Sequence, residues 1–194
     1  MSSNAADTKS RLLDATLTLL EAGDVTIRMA DVAKAAGISR QALYLHFPTR
    51  ADLLIAAARH VETQKGMEQR LAPSRAAVKG IDRLDAYVDA WADWQQEIHG
   101  IARALMAMLP TDDAAQAAWN DRMRAHREGC EAAVRALKKD ARLAPDHTIR
   151  QATDVLWMLL SLKNWELLTQ DCGWSQKRYR DQTKQMARRL LVAE

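Results

Sequence analysis

The segment from residue 26 to residue 54, TIRMADVAKAAGISRQALYLHFPTRADLL, restricts the fold more than any other part of the chain. Ala33 is small enough to lie at a close helix crossing, and Gly37 follows it where a helix-ending residue with positive φ is needed. Ser39 can cap a second helix by accepting a hydrogen bond from a free backbone N–H group. The segment therefore predicts two short helices joined by a tight turn.

A third helix is predicted to begin directly after the second. Pro48 pushes Phe47 away from helical φ and ψ, so the second helix ends there. Thr49 and Asp52 have the spacing of a capping box, which marks the start of a helix. The order of these signals is that of a helix-turn-helix unit.

The same segment is free of acidic residues between Asp31 and Asp52. Its basic residues in that interval are Lys34, Arg40, His46 and Arg50. A surface that approaches phosphates must avoid anions, and a short helix that is polar on one face fits the major groove of duplex DNA. We therefore predict a DNA-reading unit. The alternative is a plain helical hairpin with a solvated face.

The stretch GISRQALYLHFPTRADLL, which follows DVAKAA, resembles the N-terminal domain of TetR/AcrR-family transcriptional regulators. The pattern L-Y-x-H-F at residues 43–47 is its most specific part. The resemblance is close over about residues 8–65 and covers the rest only in general layout. It implies a helix-turn-helix DNA-binding domain over residues 1–48 and a helical effector-binding and dimerisation domain over residues 49–194. One departure is Arg28, which stands where members carry a capping Ser or Thr.

Apolar residues recur at helical spacing along the chain, and nothing alternates as a strand would, so we predict an all-α fold of about nine helices. The fourth is expected to run from Thr49 to about Arg70 and to stop near Pro73. Separate helices are expected over residues 81–98 and 101–109. The last two are expected over about residues 146–170 and 174–193.

The start of the second helix of the unit carries the candidate base contacts. Arg40 suits the O6 and N7 atoms of guanine, Gln41 suits the N6 and N7 atoms of adenine, and Ala42 can pack on a thymine methyl group. Contacts to the DNA backbone are predicted for Arg28, Ser39, Tyr44, His46 and Arg50. For the last three, the resemblance implies the same role.

The chain uses aromatic residues unusually, since it has six tryptophans, all between residues 91 and 174, and a single phenylalanine. The rings and nearby methionines either fill a core or line a pocket for a hydrophobic or aromatic molecule. The resemblance favours the pocket, because TetR-like proteins commonly hold an effector there. Its predicted lining is Trp91, Trp94, Trp119, Met123 and Met158.

Other functions find little support in the sequence. It has no pairing of nucleophile and base, no phosphate-binding glycine loop and no metal-ligand spacing, so we predict no enzyme, no metal and no cofactor. No apolar run reaches membrane-spanning length and no signal-peptide core is present, so we expect a cytoplasmic protein. The two cysteines suit a reducing compartment.

One short helix reads few base pairs, so we expect two copies of the helix-turn-helix unit, related by twofold symmetry, on a palindromic operator. The last two helices are the predicted homodimer interface. We expect a repressor that leaves its operator when a small hydrophobic effector binds. The alternative is a helix-turn-helix regulator without a small ligand, whose second half serves only dimerisation or protein interaction.

Overall fold

The computed structural model describes residues 2–23 and 26–193, and its regular structure is helical. The helices are α1 (Ser2–Glu21), α2 (Met29–Ala36), α3 (Arg40–His46), α4 (Arg50–Gln64), α5 (Met67–Ala76), α6 (Gly80–Met108), α7 (Asp113–Lys139), α8 (Ile149–Leu159), α9 (Leu162–Glu166) and α10 (Gln176–Leu191). A short π-helical segment, Leu167–Asp171, follows α9. Extended pairing in this part of the chain is limited to an isolated bridge between Leu143 and Val192. The all-α prediction is confirmed.

The helix expected from Thr49 to about Arg70 is in fact two helices, α4 and α5. Gly66 separates them with a left-handed backbone, φ +68°, a conformation that glycine adopts without steric cost. Pro73 was expected to stop the helix but lies inside α5. Its missing N–H removes one hydrogen bond there without ending the helix.

The helices expected over residues 81–98 and 101–109 are one helix, α6, of 29 residues. A Cβ atom added at Gly100 would meet no other atom within 4 Å, so this glycine serves no close approach. Its helix cost is only about 1 kcal/mol. Burial of Trp94 and Ile101 on either side outweighs that cost.

The helix expected over about residues 146–170 is also divided. α8 ends at Leu159, and Ser161 begins α9 by accepting a hydrogen bond from the N–H of Asn164. None of the helices in the described part of the chain combines the length and apolar character that crossing a bilayer requires.

The described residues form two compact units. Unit 1 contains α1 to α4 together with residues 99–123, and unit 2 contains the rest. The core of unit 1 joins side chains from α1 to α4 with others from the end of α6. It includes Leu12, Val32, Leu43, Leu54, Ile101, Leu105 and Met108. The functional boundary expected between residues 48 and 49 stays a prediction.

The core of unit 2 lies among α6, α7, α8 and α10 and includes Val88, Val134, Leu137, Leu156 and Leu191. A ladder of ion pairs joins α6 to α10, with acidic and basic residues each spaced four apart. Its pairs are Asp85 with Arg188, Asp89 with Lys184 at 2.6 Å, and Asp93 with Arg180 at 3.0 Å. The basic face of α10 is therefore largely neutralised within the chain.

Candidate nucleic-acid interface

The turn between α2 and α3 is built around Gly37, which has φ +65°. Its N–H bonds to the carbonyl of Lys34 at 3.1 Å, and the N–H of Ile38 bonds to the carbonyl of Ala33 at 2.9 Å. Arg11 of α1 donates to the carbonyl of Ala36 at 2.8 Å. These bonds use carbonyl groups that the end of α2 would otherwise leave unpaired. The predicted glycine turn is confirmed.

Local signals fix both ends of α3. The hydroxyl of Ser39 accepts a hydrogen bond from the N–H of Ala42 at 3.1 Å, as the sequence predicted. Leu43 is fully buried and Phe47 nearly so, which holds α3 against the core of unit 1. The helix ends at His46, and Phe47 has the extended backbone that Pro48 demands.

The outward face of α3 presents Arg40, Gln41, Tyr44 and Leu45 to solvent. Ala42 and His46 are half-buried beside this face. The exposed face contains no carboxylate, so an approaching phosphate would meet no fixed negative charge from it. Sequence reasoning missed Leu45. Its position four residues after Gln41 was the available signal, because residues i and i+4 share a helix face.

The start of α4 carries the predicted capping box. The hydroxyl of Thr49 accepts from the N–H of Asp52 at 3.1 Å. The carboxylate of Asp52 accepts from the N–H of Thr49 at 3.2 Å. This prediction is confirmed.

Arg50 was predicted to contact the DNA backbone, but the structure places its guanidinium inside unit 1. The group donates to the carbonyl of Ile27 and forms an ion pair with Asp112 just before α7. Its side chain is 23% exposed and that of Asp112 is 18% exposed. The interaction spans 62 positions in sequence, so no local pattern revealed it. Arg50 thus acts as an internal brace of unit 1, and its predicted contact with the DNA backbone is untested.

Asp112 is well suited to hold this brace. Its carboxylate also accepts from the N–H groups of Ala114 at 3.0 Å and Ala115 at 3.1 Å, at the start of α7. Burial alone would raise the pKa of Asp112. The bonds from Arg50 and from the two N–H groups outweigh burial and lower that pKa.

Arg28 precedes α2 and has a side chain that is 79% exposed. A guanidinium has no acceptor, so it cannot replace the capping hydroxyl that TetR-like chains carry here. Asp31 supplies the other half of a capping box, because its carboxylate accepts a hydrogen bond from the backbone N–H of Arg28 at 3.2 Å. The guanidinium also bonds to Asp31 at 2.9 Å, and this bond lowers the pKa of the carboxyl. The predicted phosphate contact by Arg28 is untested.

The predicted ligand-binding residues are divided between the units, with Trp91, Trp94 and Met158 in unit 2 and Trp119 and Met123 in unit 1. Trp94 is buried, whereas Met158 is 52% exposed. Trp119 packs against the core of unit 1. The pocket therefore stays a prediction.

Trp91 belongs to a buried cluster in unit 2 with Tyr87, His126 and Cys130. The ring centroids of Trp91 and His126 are 3.8 Å apart, and the hydroxyl of Tyr87 donates to the carbonyl of His126 at 2.9 Å. Burial lowers the pKa of His126 to about 3 and raises the pKa of Cys130 to about 12. The interior of unit 2 thus favours uncharged side chains.

A comparison with protein families finds a match within unit 1. The profile of the family described as "Bacterial regulatory proteins, tetR family" matches residues 12–57, which hold the second half of α1, all of α2 and α3, and the start of α4. The N-terminal part of the chain is therefore similar to the DNA-binding domain of that family. The resemblance seen in the sequence is confirmed.

A related protein extends the comparison. The HTH-type transcriptional repressor LfrR of Mycolicibacterium smegmatis is 36% identical over 83 residues, which are 43% of this chain and 39% of that protein. The chain thus matches well under half of the length of this relative.

Solved structures match the fold over nearly the whole chain. NalD of Pseudomonas aeruginosa, the secondary repressor of the MexAB-OprM multidrug efflux pump, has a TM-score of 0.68 at 23% identity and covers 98% of both chains. FadR of Bacillus subtilis, solved in complex with stearoyl-CoA, has a TM-score of 0.73 at 12% identity over 92% of this chain and 96% of that one. At these identities the likeness concerns the fold.

Proposed function

We propose that this chain is a TetR-family, sequence-specific DNA-binding transcriptional regulator whose α3 enters the major groove. The observation that carries this proposal is the exposed face of α3, which contains no carboxylate. The glycine turn and the capped starts of α3 and α4 hold this face on the packed core of unit 1. A helix of 7 residues with long polar side chains on one face fits the width of that groove.

Within this proposal, base reading begins at the N-terminus of α3. Arg40 is placed on guanine and Gln41 on adenine, since both are exposed and each can form a bidentate pair. Ala42 is half-buried and contacts a thymine methyl only if α3 lies deep in the groove.

Contacts to the DNA backbone are assigned to Arg28, Ser39, Tyr44 and His46. Ser39 can keep its cap while it does this, because its hydroxyl accepts from Ala42 and still has a proton to donate to a phosphate. Arg50 is left out of this set, since its guanidinium is held by Ile27 and Asp112.

The chain is further proposed to act as a homodimer on a palindromic operator, through residues of about 146–170 and 174–193. Exposed apolar side chains in these ranges support this assignment, namely Met158, Leu167 and Leu190. Twofold pairing would place two heads on half-sites one helical turn or a multiple apart. A dimer on a promoter obstructs polymerase, so repression is the proposed outcome.

A small hydrophobic or aromatic effector is the proposed release signal. The tryptophans and methionines of the second half support it, and FadR shows that a solved structure of this fold can hold an acyl-CoA. The exposure of Met158 and the burial of Trp94 favour the alternative, a regulator without a small ligand. Tryptophan fluorescence titrated with a panel of hydrophobic compounds separates them. A flat response with intact DNA binding would support the alternative.

A gel-shift with the DNA upstream of the chain's own gene tests the main proposal. In parallel, duplexes that bind the chain are selected from a pool of random sequences. We expect a shifted band that unlabelled upstream DNA competes away, and a palindromic sequence enriched among the selected duplexes. Absence of both, at low as well as moderate salt, would refute DNA-binding regulation by this chain.

A further inference from the structure

Leu45 is an exposed leucine on the face of α3 that is proposed to enter DNA. Leu45 is 81% exposed, whereas the nearby Leu43 is fully buried. Within the described residues of unit 1, no other large apolar side chain is as exposed. It lies one helical turn after Gln41 on the same face.

Single exposed apolar residues are common on protein surfaces and need no explanation by themselves. Leu45 differs because of its neighbours, Arg40, Gln41 and Tyr44, which all carry hydrogen-bonding groups. A leucine cannot bond a phosphate or a polar base edge. In the major groove, the apolar feature that a base presents is the C5-methyl group of thymine.

We propose that Leu45 packs on the C5-methyl group of a thymine and thereby selects thymine at one position of each half-site. This rests on the proposed entry of α3 into the major groove. One helical turn advances about 5.4 Å and one base pair about 3.4 Å. The thymine therefore lies within about two base pairs of the pair that Gln41 contacts.

The test replaces each thymine of a selected operator half-site, one at a time, by deoxyuridine, which removes only the methyl group. Dissociation constants are measured at one fixed salt concentration for the unmodified chain and for Leu45→Ala. One substitution is expected to weaken the unmodified chain about fourfold, as the loss of one buried methyl group predicts. Leu45→Ala is expected to bind the thymine and deoxyuridine duplexes equally.

Val78→Ala is the matched control, because Val78 is 95% exposed and lies between α5 and α6. It should retain the response to deoxyuridine. Thermal unfolding of both variants checks that truncation of an exposed side chain leaves the fold intact.

Two outcomes would overturn the inference. The first is that no thymine in the half-site responds to loss of its methyl group, and the second is that Leu45→Ala keeps the full response. Arg40→Ala and Gln41→Ala separate this failure from failure of the proposed function. If they weaken operator binding while Leu45 has no effect, only the inference fails. If they too have no effect, the placement of α3 in the groove is wrong.

Discussion

Single side chains on α3 carry the proposed base reading, and Arg40 is the most direct example. Arg40→Ala is expected to cost about 1–3 kcal/mol at the operator and to relax the preference at one base pair, because a bidentate pair to guanine is lost. Affinity for a set of single-base operator variants measures this. Arg124→Ala removes a charge from an exposed position on α7, outside the residues proposed for DNA contact and dimerisation, and serves as the control. Unchanged base discrimination in Arg40→Ala would mean that α3 is oriented differently.

Arg50 shows why a residue's type and position do not settle its role. Arg50→Ala removes a half-buried partner of Asp112, so we expect the free energy of unfolding to fall by about 1–2 kcal/mol. Urea denaturation, with Arg40→Ala as a control that leaves stability unchanged, measures it. Unchanged stability together with a salt dependence of DNA binding reduced by about one unit would instead restore the phosphate contact.

His126 makes stability depend on pH in one direction. Its folded pKa of about 3 lies below the ordinary value of 6.5, so the unfolded chain alone takes up this proton as the pH falls. The contribution is fully present above pH 6.5 and is lost towards pH 3. Between pH 8 and pH 5 it amounts to about 2 kcal/mol.

Urea denaturation at both pH values tests this expectation. His126→Gln should lose that part of the pH dependence, and His147→Gln should keep it. Equal pH dependence in all three chains would contradict the assignment to His126.

Whether an element was predictable depended on how local its signals are. The turn at Gly37 and the caps at Ser39 and Thr49 could be predicted, because each involves residues within a few positions. The continuity of α6 through Gly100 could not, since burial on both sides decides it. The pair of Arg50 with Asp112 joins residues 62 positions apart, and only the fold reveals it.

The ladder between α6 and α10 makes a prediction at the level of elements. In a double-mutant cycle, Asp89→Asn and Lys184→Gln are expected to show a coupling of about 0.5–1 kcal/mol, discounted because the pair is partly exposed. The exposed pair Lys177 and Asp181 within α10 is the control and should couple by about 0.2–0.5 kcal/mol. Urea denaturation at low and high salt measures both. Equal couplings would mean that the ladder adds nothing beyond an ordinary surface pair.

At the scale of the whole molecule, the family profile covers only residues 12–57, yet the core of unit 1 includes side chains from farther along the chain. Ile101, Leu105 and Met108 belong to the same buried cluster as Leu12 and Leu54. A fragment ending at residue 65 would therefore expose an apolar face that the intact chain covers. We expect it to melt without cooperativity in circular dichroism and to bind a hydrophobic dye. A sharp transition like that of the full chain would contradict this.

The same feature limits how such a protein can be recombined. If α1 to α4 were joined to the second half of another protein by one crossover after α4, then Ile101, Leu105 and Met108 would be left behind. A working chimera needs two exchanges, the second carrying residues 99–123, a stretch that lies outside the residues 12–57 matched by the family profile.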